Sequence, residues 1–270
     1  MIERRTIEAN GLAVAYGVAG EGPPLVLLHG ASSSGGDGFR AQVPRFARAF
    51  RCYLPDARGH GGTRWDVGAG FSYAVLVDDL AALLDALGLE RAHLLGVSMG
   101  AQTALGLAIR SPDRVASLVL VGLSVASEPR RSVVRRLLDV ERIERDDPRF
   151  AAELARRHDP VQGPGAWRSL LRALAAAIDR EAPPGPAEIR RAAVPALVAV
   201  GDRDPIAPVD QAWALARQLP DARLLVLPAA GHEVHAQRAG LFNAACEWFW
   251  RAIGAIEGGS VPPPAATWDT

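Results

Sequence analysis

The spacing of hydrophobic residues changes repeatedly along the chain, and these changes predict alternating strands and helices. Short continuous apolar runs, such as "PLVLLHG" from residue 24, are typical of strands buried on both faces. Apolar residues three and four positions apart, as over 73–88, indicate amphipathic helices. We predict strands at about 3–8, 12–18, 24–30, 51–56, 92–97, 114–123, 195–204 and 222–232. We predict helices at about 38–49, 73–88, 99–109, 208–219 and 239–253.

This order predicts an α/β protein with a mostly parallel central sheet and helices on both faces. An antiparallel hairpin opens the chain, because "NG" at 10–11 separates two alternating segments. The strand pattern is interrupted over 125–193, where only helical spacing is found. We therefore predict a core domain of 1–124 and 194–256, a helical cap of 125–193, and a flexible tail of 257–270.

One stretch of the predicted cap, "AWRSLLRALAAAI", places Trp167, Leu170, Leu171 and Leu174 on one face of a helix. Two interpretations remain open at this stage. These side chains form a wall of a substrate pocket, or they form the small hydrophobic core of the cap itself.

Composition narrows the classes of function. The 270 residues carry 30 basic and 30 acidic side chains, and this balance disfavours a nucleic-acid partner. The N-terminal residues contain no apolar signal segment, and no run approaches the length of a membrane span. We expect a cytoplasmic protein without a membrane partner; its oligomeric state stays open. The cysteines, Cys52 and Cys246, stand far apart, and no metal-binding motif is present, so neither a metal nor a cofactor is expected.

The stretch "GVSMG", in which Ser98 stands between Gly96 and Gly100, lies between a predicted strand and a predicted helix. This G-x-S-x-G pattern is typical of a sharp turn that exposes a nucleophilic serine at the edge of a sheet. Glycines are needed two residues before and after the serine because side chains there would collide. A serine hydroxyl needs a base to become nucleophilic, so a histidine and an acid must follow.

Candidates for both partners occur after the last two predicted strands. "GDRDPIAP" contains Asp202 and Asp204, and "GHEVH" contains His232 and His235. With "HG" after the early strand, these motifs resemble the α/β-hydrolase fold family over nearly the whole chain, in the order serine, acid, histidine. The family's Gly-x-x-Asp and Gly-His patterns favour Asp204 as the acid and His232 as the base. Asp202 and His235 remain the alternatives.

The resemblance also implies an oxyanion hole, made of two backbone N–H groups that stabilise the charge of a tetrahedral intermediate. One would come from Met99, directly after the serine. The other maps to Ala31 in "LLHGASSS".

The implied activity is cofactor-free hydrolysis of a carboxylic ester or lactone, a small-molecule substrate, through an acyl-enzyme on Ser98. Carbon–carbon bond hydrolases of ring-cleavage diketones are similar in length, cap and "SMG" motif. They usually differ in the loop after "HG" and carry an aromatic residue where this chain has Glu233. This activity and a non-catalytic receptor on the same fold are the alternatives, since fold alone does not determine function.

Overall fold

The computed structural model describes residues 2–257, in which eight strands form a single sheet. Their bounds are β1 Glu3–Ala9, β2 Leu12–Ala19, β3 Pro24–Leu28, β4 Arg51–Pro55, β5 Ala92–Val97, β6 Val115–Val121, β7 Ala196–Gly201 and β8 Ala222–Leu227. The spatial order is β1-β2-β4-β3-β5-β6-β7-β8. β1 and β2 pair in antiparallel fashion, as do β2 and β4, and all other pairs are parallel. The predicted α/β fold is confirmed.

Strand register brings the carboxyl ends of the central strands to one edge of the sheet. Leu28 of β3 pairs with Gly96 of β5, and Val97 of β5 pairs with Val121 of β6. The loops that follow these strands therefore meet at the same edge. β5 is buried along its whole length, which explains its continuous apolar sequence.

Helices cover both faces of the sheet. α3 and α4 pack on one face together with α10, and the aromatic residues of α12 pack on the other. The helix bounds are α1 Gly35–Gly38, α2 Val43–Phe46, α3 Tyr73–Ala86, α4 Met99–Arg110, α5 Arg130–Leu137, α6 Val140–Asp146, α7 Pro148–Gln162, α8 Ala166–Arg180, α9 Pro186–Ile189, α10 Val209–Gln218, α11 Val234–Gln237 and α12 Ala239–Ala252. No helix within residues 2–257 is both long and apolar enough to cross a membrane.

Helices α5 to α9 fill the segment 125–193, for which helices alone are predicted. Four residues of α8 are no more than 1% exposed, and they pack in a cluster that also contains Met99 and Ile206 of the core: Trp167, Leu170, Leu171 and Leu174. This stripe thus joins the helical segment to the rest of the molecule. Its burial favours the packing interpretation over an open pocket wall.

Several predicted boundaries differ from the structure. The helix predicted over 38–49 is reduced to the single turn α2, because Pro44 suits only the start of a helix; α1 ends at Gly38, where the predicted helix begins. β7 and β8 end at Gly201 and Leu227, and loops follow where longer strands are predicted. The predicted tail of 257–270 lies outside the described residues, apart from Glu257.

Candidate active site

Ser98 occupies a sharp turn between β5 and α4, with φ +51° and ψ −108°. Its backbone N–H donates a hydrogen bond of 2.8 Å to the carbonyl oxygen of Val121, which fixes the turn against β6. A Cβ on Gly96 would lie 2.3 Å from the Gly100 oxygen, and a Cβ on Gly100 would lie 2.1 Å from the Leu28 oxygen. Only glycine fits at either position, so the G-x-S-x-G pattern follows from backbone crowding.

Asp204 and His232 meet at the same edge of the sheet. His232 Nδ1 and Asp204 Oδ2 are 2.8 Å apart, and the carboxylate of Asp204 is fully buried. The other carboxylate oxygen accepts hydrogen bonds from the N–H groups of Ile206 and Ala207, at 2.8 and 3.0 Å. Because an ionised carboxylate can only accept, the imidazole carries its proton on Nδ1. Its Nε2 is then left with a lone pair that can take up a proton.

The two alternative residues, Asp202 and His235, lie outside this pair. Asp202 is exposed and accepts a hydrogen bond from the Ala230 N–H at 3.1 Å, and this contact lowers its pKa. His235 is buried, with Nε2 3.0 Å from the carbonyl oxygen of Gly38, and burial lowers its pKa. The sequence preference for Asp204 and His232 therefore coincides with the only His–Asp hydrogen bond among the described side chains.

A further residue of this site, Gly122, was not singled out from the sequence. It follows β6 with φ +63°, and its N–H donates to the Ala199 oxygen at 3.0 Å. A Cβ here would lie 2.8 Å from His232 Cε1, 2.9 Å from His232 Nδ1 and 3.4 Å from Asp204 Oδ2. The missing side chain makes room for the imidazole. The only sequence signal is a glycine at the carboxyl end of a predicted strand.

The loop after β3 carries the predicted donor Ala31 and lies against the nucleophile turn. A Cβ on Gly30 would be 3.8 Å from Ser98 Cβ. The Gly30 carbonyl accepts hydrogen bonds from His29 Nδ1 at 2.8 Å and from the Ser33 N–H at 3.1 Å. In a trans peptide the N–H points opposite to the C=O. These two bonds therefore fix the direction of the Ala31 N–H.

The two predicted oxyanion donors are free to act as donors. Among the described residues, no protein acceptor receives a hydrogen bond from the N–H of Ala31 or of Met99. Met99 is the first residue of α4, where backbone N–H groups have no partner inside the helix. Two preorganised donors of this kind, beside a serine, can stabilise a developing oxyanion.

Two buried histidines stabilise the same loop. His29 Nε2 accepts a hydrogen bond from the Ala57 N–H at 3.0 Å, which leaves the proton on Nδ1 for Gly30. His60 Nε2 lies 2.8 Å from the carbonyl oxygen of Ala31. Burial lowers the pKa of both imidazoles, that of His60 to about 4.

Comparison with known proteins agrees with this geometry. Residues 23–159 match the family profile described as alpha/beta hydrolase fold, and residues 156–248 match one described as TAP-like protein. The chain belongs to the α/β hydrolase family. It is 31% identical to the 2-hydroxymuconate semialdehyde hydrolase of Pseudomonas sp. (strain CF600) over 88% of this chain and 90% of that protein.

Two solved structures of the family have similar backbones. A thermophilic esterase from Thermogutta terrifontis gives a TM-score of 0.76 at 26% identity, covering 93% of this chain and 99% of that one. The enol-lactonase from Burkholderia xenovorans LB400 gives a TM-score of 0.74 at 25% identity, covering 92% of this chain and 100% of that one. These relatives include hydrolases with different substrates, so the family alone does not identify the substrate of this chain.

Proposed function

We propose that the protein is a serine hydrolase that cleaves a carboxylic ester or lactone through an acyl-enzyme on Ser98. The observation that carries this proposal is the hydrogen bond between His232 Nδ1 and the buried carboxylate of Asp204, at the edge where the Ser98 turn lies. This pair leaves one imidazole nitrogen available as a base. A base at that edge supplies what a serine hydroxyl lacks as a nucleophile.

In the proposed reaction, His232 Nε2 takes the proton of Ser98 Oγ as that oxygen attacks the substrate carbonyl carbon. Asp204 stabilises the imidazolium, and the N–H groups of Ala31 and Met99 stabilise the oxyanion. The C–O bond of the ester then breaks, and the imidazolium gives its proton to the leaving alkoxide. Water, deprotonated by His232, cleaves the acyl-enzyme by the same steps. For a lactone, the released hydroxyl stays on the acyl group.

A second candidate is hydrolysis of a carbon–carbon bond in a ring-cleavage diketone. It is supported by the relative named a 2-hydroxymuconate semialdehyde hydrolase, at 31% identity. We rank it below ester or lactone cleavage for two reasons. The chain has Glu233 directly after His232, where such enzymes usually have an aromatic residue, and Ala31-Ser32-Ser33 departs from their usual loop.

The proposal is tested with three substrate panels: short-chain aryl esters, lactones, and ring-cleavage diketones. We expect turnover of an ester or lactone, and its loss in Ser98→Ala. Ser117→Ala is the control, because Ser117 is fully buried and contacts His93 in the body of the sheet. Faster cleavage of the diketones identifies the second candidate. Binding without turnover in any panel indicates a receptor and contradicts the proposal.

A further inference from the structure

A buried guanidinium lies where the helical segment meets the core. Arg130, the first residue of α5, is only 6% exposed. Its Nη2 donates to the hydroxyl of Tyr73 at 2.9 Å and to Gln102 Oε1 at 2.8 Å. The guanidinium carbon lies 5.4 Å from the centre of the Tyr73 ring. All of these partners are uncharged.

The contacts described leave this cation incompletely stabilised. Among residues 2–257, no carboxylate lies within salt-bridge distance of Arg130, and Glu181, which accepts from the Tyr73 N–H, pairs with Arg180. A cation at a helix N-terminus is also opposed by the helix dipole. Burying a charge without a counter-ion is costly. A purely structural role would be filled at lower cost by a neutral side chain.

Part of the guanidinium remains available to a ligand. An arginine has five N–H donors, and the two bonds described use both hydrogens of Nη2. Nε and Nη1 have no protein acceptor among the described residues. They are also not among the fully enclosed polar atoms without a partner, which are Gln42 Oε1, His158 Nε2, Gln218 Oε1, His235 Nδ1 and Trp250 Nε1. Among residues 2–257, these two nitrogens are therefore neither paired nor fully enclosed.

The position of Arg130 relates it to the candidate active site. Its partner Gln102 lies on α4, and the Gln102 N–H donates to the Ser98 carbonyl at 3.0 Å. Gln102 and Ser98 are thus about one helical turn apart, about 6 Å along the axis of α4. Tyr73, the other partner, packs in the same apolar cluster as Met99. Through Gln102 and Tyr73, Arg130 therefore contacts the helix that begins directly after Ser98 and the apolar cluster that contains Met99.

We propose that Arg130 binds a carboxylate of the substrate, so that the protein acts on esters or lactones that carry a negative charge. This inference rests on the proposed function and adds a substrate class to it. The substrate carboxylate supplies the missing counter-ion and accepts the free N–H groups of Arg130. Charge-assisted bonds to arginine are among the stronger hydrogen bonds in proteins.

The test compares two aryl esters that differ in one charge: the mono-aryl ester of glutaric acid and its methyl-capped, neutral analogue. We expect the wild type to prefer the anion by about 10- to 100-fold in kcat/KM, the range for a hydrogen bond to a charged group. Arg130→Met should bring this ratio close to one, and Arg130→Lys should retain part of it. Arg135→Met is the control, since Arg135 is exposed and pairs with Asp179 on the surface.

A binding measurement separates this inference from the proposed function. We expect glutarate to bind Ser98→Ala in titration calorimetry and not to bind the double variant Ser98→Ala, Arg130→Met. If glutarate binds but no ester or lactone is turned over, the anion site is supported and the proposed function is rejected. Two outcomes would assign Arg130 to structure alone and overturn the inference. In the first, the wild type turns over both esters with an anion preference near one. In the second, Arg130→Met and Arg130→Lys lose equal activity on both esters. Circular dichroism of each variant confirms that it is folded.

Discussion

At the scale of single residues, the site depends on three glycines as much as on its polar groups. Gly96 and Gly100 let the backbone turn tightly around Ser98. Gly122 leaves the space that the imidazole of His232 occupies. At each of the three positions, the methyl group of an alanine would overlap atoms of the site.

Gly122→Ala should lower kcat by at least about 10-fold, because the new Cβ would overlap atoms only 2.8 Å and 2.9 Å away in the His232 ring. Gly88→Ala is a matched control: Gly88 has φ +68°, close to the +63° of Gly122, but its Cβ would have nothing within 4 Å. Both variants carry similar backbone strain, of about 1–2 kcal/mol. The measurement is kcat on an ester beside the free energy of unfolding.

The comparison isolates the effect on His232. If both variants lose equal stability while only Gly122→Ala loses activity, the space beside the imidazole matters for turnover. Equal activity in both variants would contradict that role of Gly122.

Several residues of the site could be proposed from the sequence, and others could not. Ser98, Asp204 and His232 stand in short motifs at strand ends, and the resemblance of these motifs to the α/β-hydrolase family was enough to propose them. Gly122 depends on how the loop after β8 lies over the end of β6, which no local pattern specifies. Arg130 looked like one of many arginines, because its burial depends on packing between α5 and the core.

At the scale of elements, α7 connects the helical segment to two loops: the loop after β3, which carries the candidate donor Ala31, and the loop after β4, which carries His60. Arg157 donates to the Ser32 carbonyl at 2.6 Å and to Asp37 at 2.9 Å. His158, fully buried, accepts a hydrogen bond from the Gly61 N–H at 3.1 Å and packs edge-on against His60. The position of α7 and the conformation of these loops are therefore coupled.

This packing predicts a loss of stability in acid. Burial lowers the pKa of His60 to about 4 and that of His158 to about 2, whereas an unfolded histidine titrates near 6.5. Below pH 6.5 the unfolded chain binds protons that the folded one excludes, so the free energy of unfolding falls as the pH falls. Each such histidine contributes up to about 1.4 kcal/mol per pH unit.

Urea unfolding of the wild type and of His158→Asn between pH 7 and pH 4 measures this effect. Asparagine offers an oxygen to the Gly61 N–H but does not titrate, so the stability of the variant should fall less steeply below pH 6.5. Comparison of the two proteins at pH 8 corrects for any lost packing. Identical slopes would contradict the assignment of His158 as a neutral, buried histidine.

Element boundaries show a second limit of the sequence. Long amphipathic or fully apolar segments, such as α3 and β5, were predicted closely because their periodicity is strong. The helix predicted over 38–49 was wrong as a single element. Apolar spacing continues through that segment, but Pro44 at the start of α2 prevents a continuous helix.

At the scale of the whole molecule, the candidate site lies between two bodies of structure. The sheet edge contributes Ser98, Asp204 and His232, and the segment from α5 to α8 contributes Arg130, the residue proposed to bind the substrate carboxylate. Core and helical segment share one apolar cluster, which contains both Met99 and Trp167. In the proposed function, the sheet edge therefore carries out the reaction, and the helical segment selects the substrate.

The central claim is that Ser98 forms a covalent acyl-enzyme, and rapid acid quench followed by mass spectrometry tests it most directly. During turnover of an aryl ester, the intact chain should gain the mass of one acyl group, and peptide mapping should locate that group on Ser98. Ser98→Ala should show no adduct and no turnover. An adduct on another residue, or unchanged ester hydrolysis by Ser98→Ala, would contradict the account.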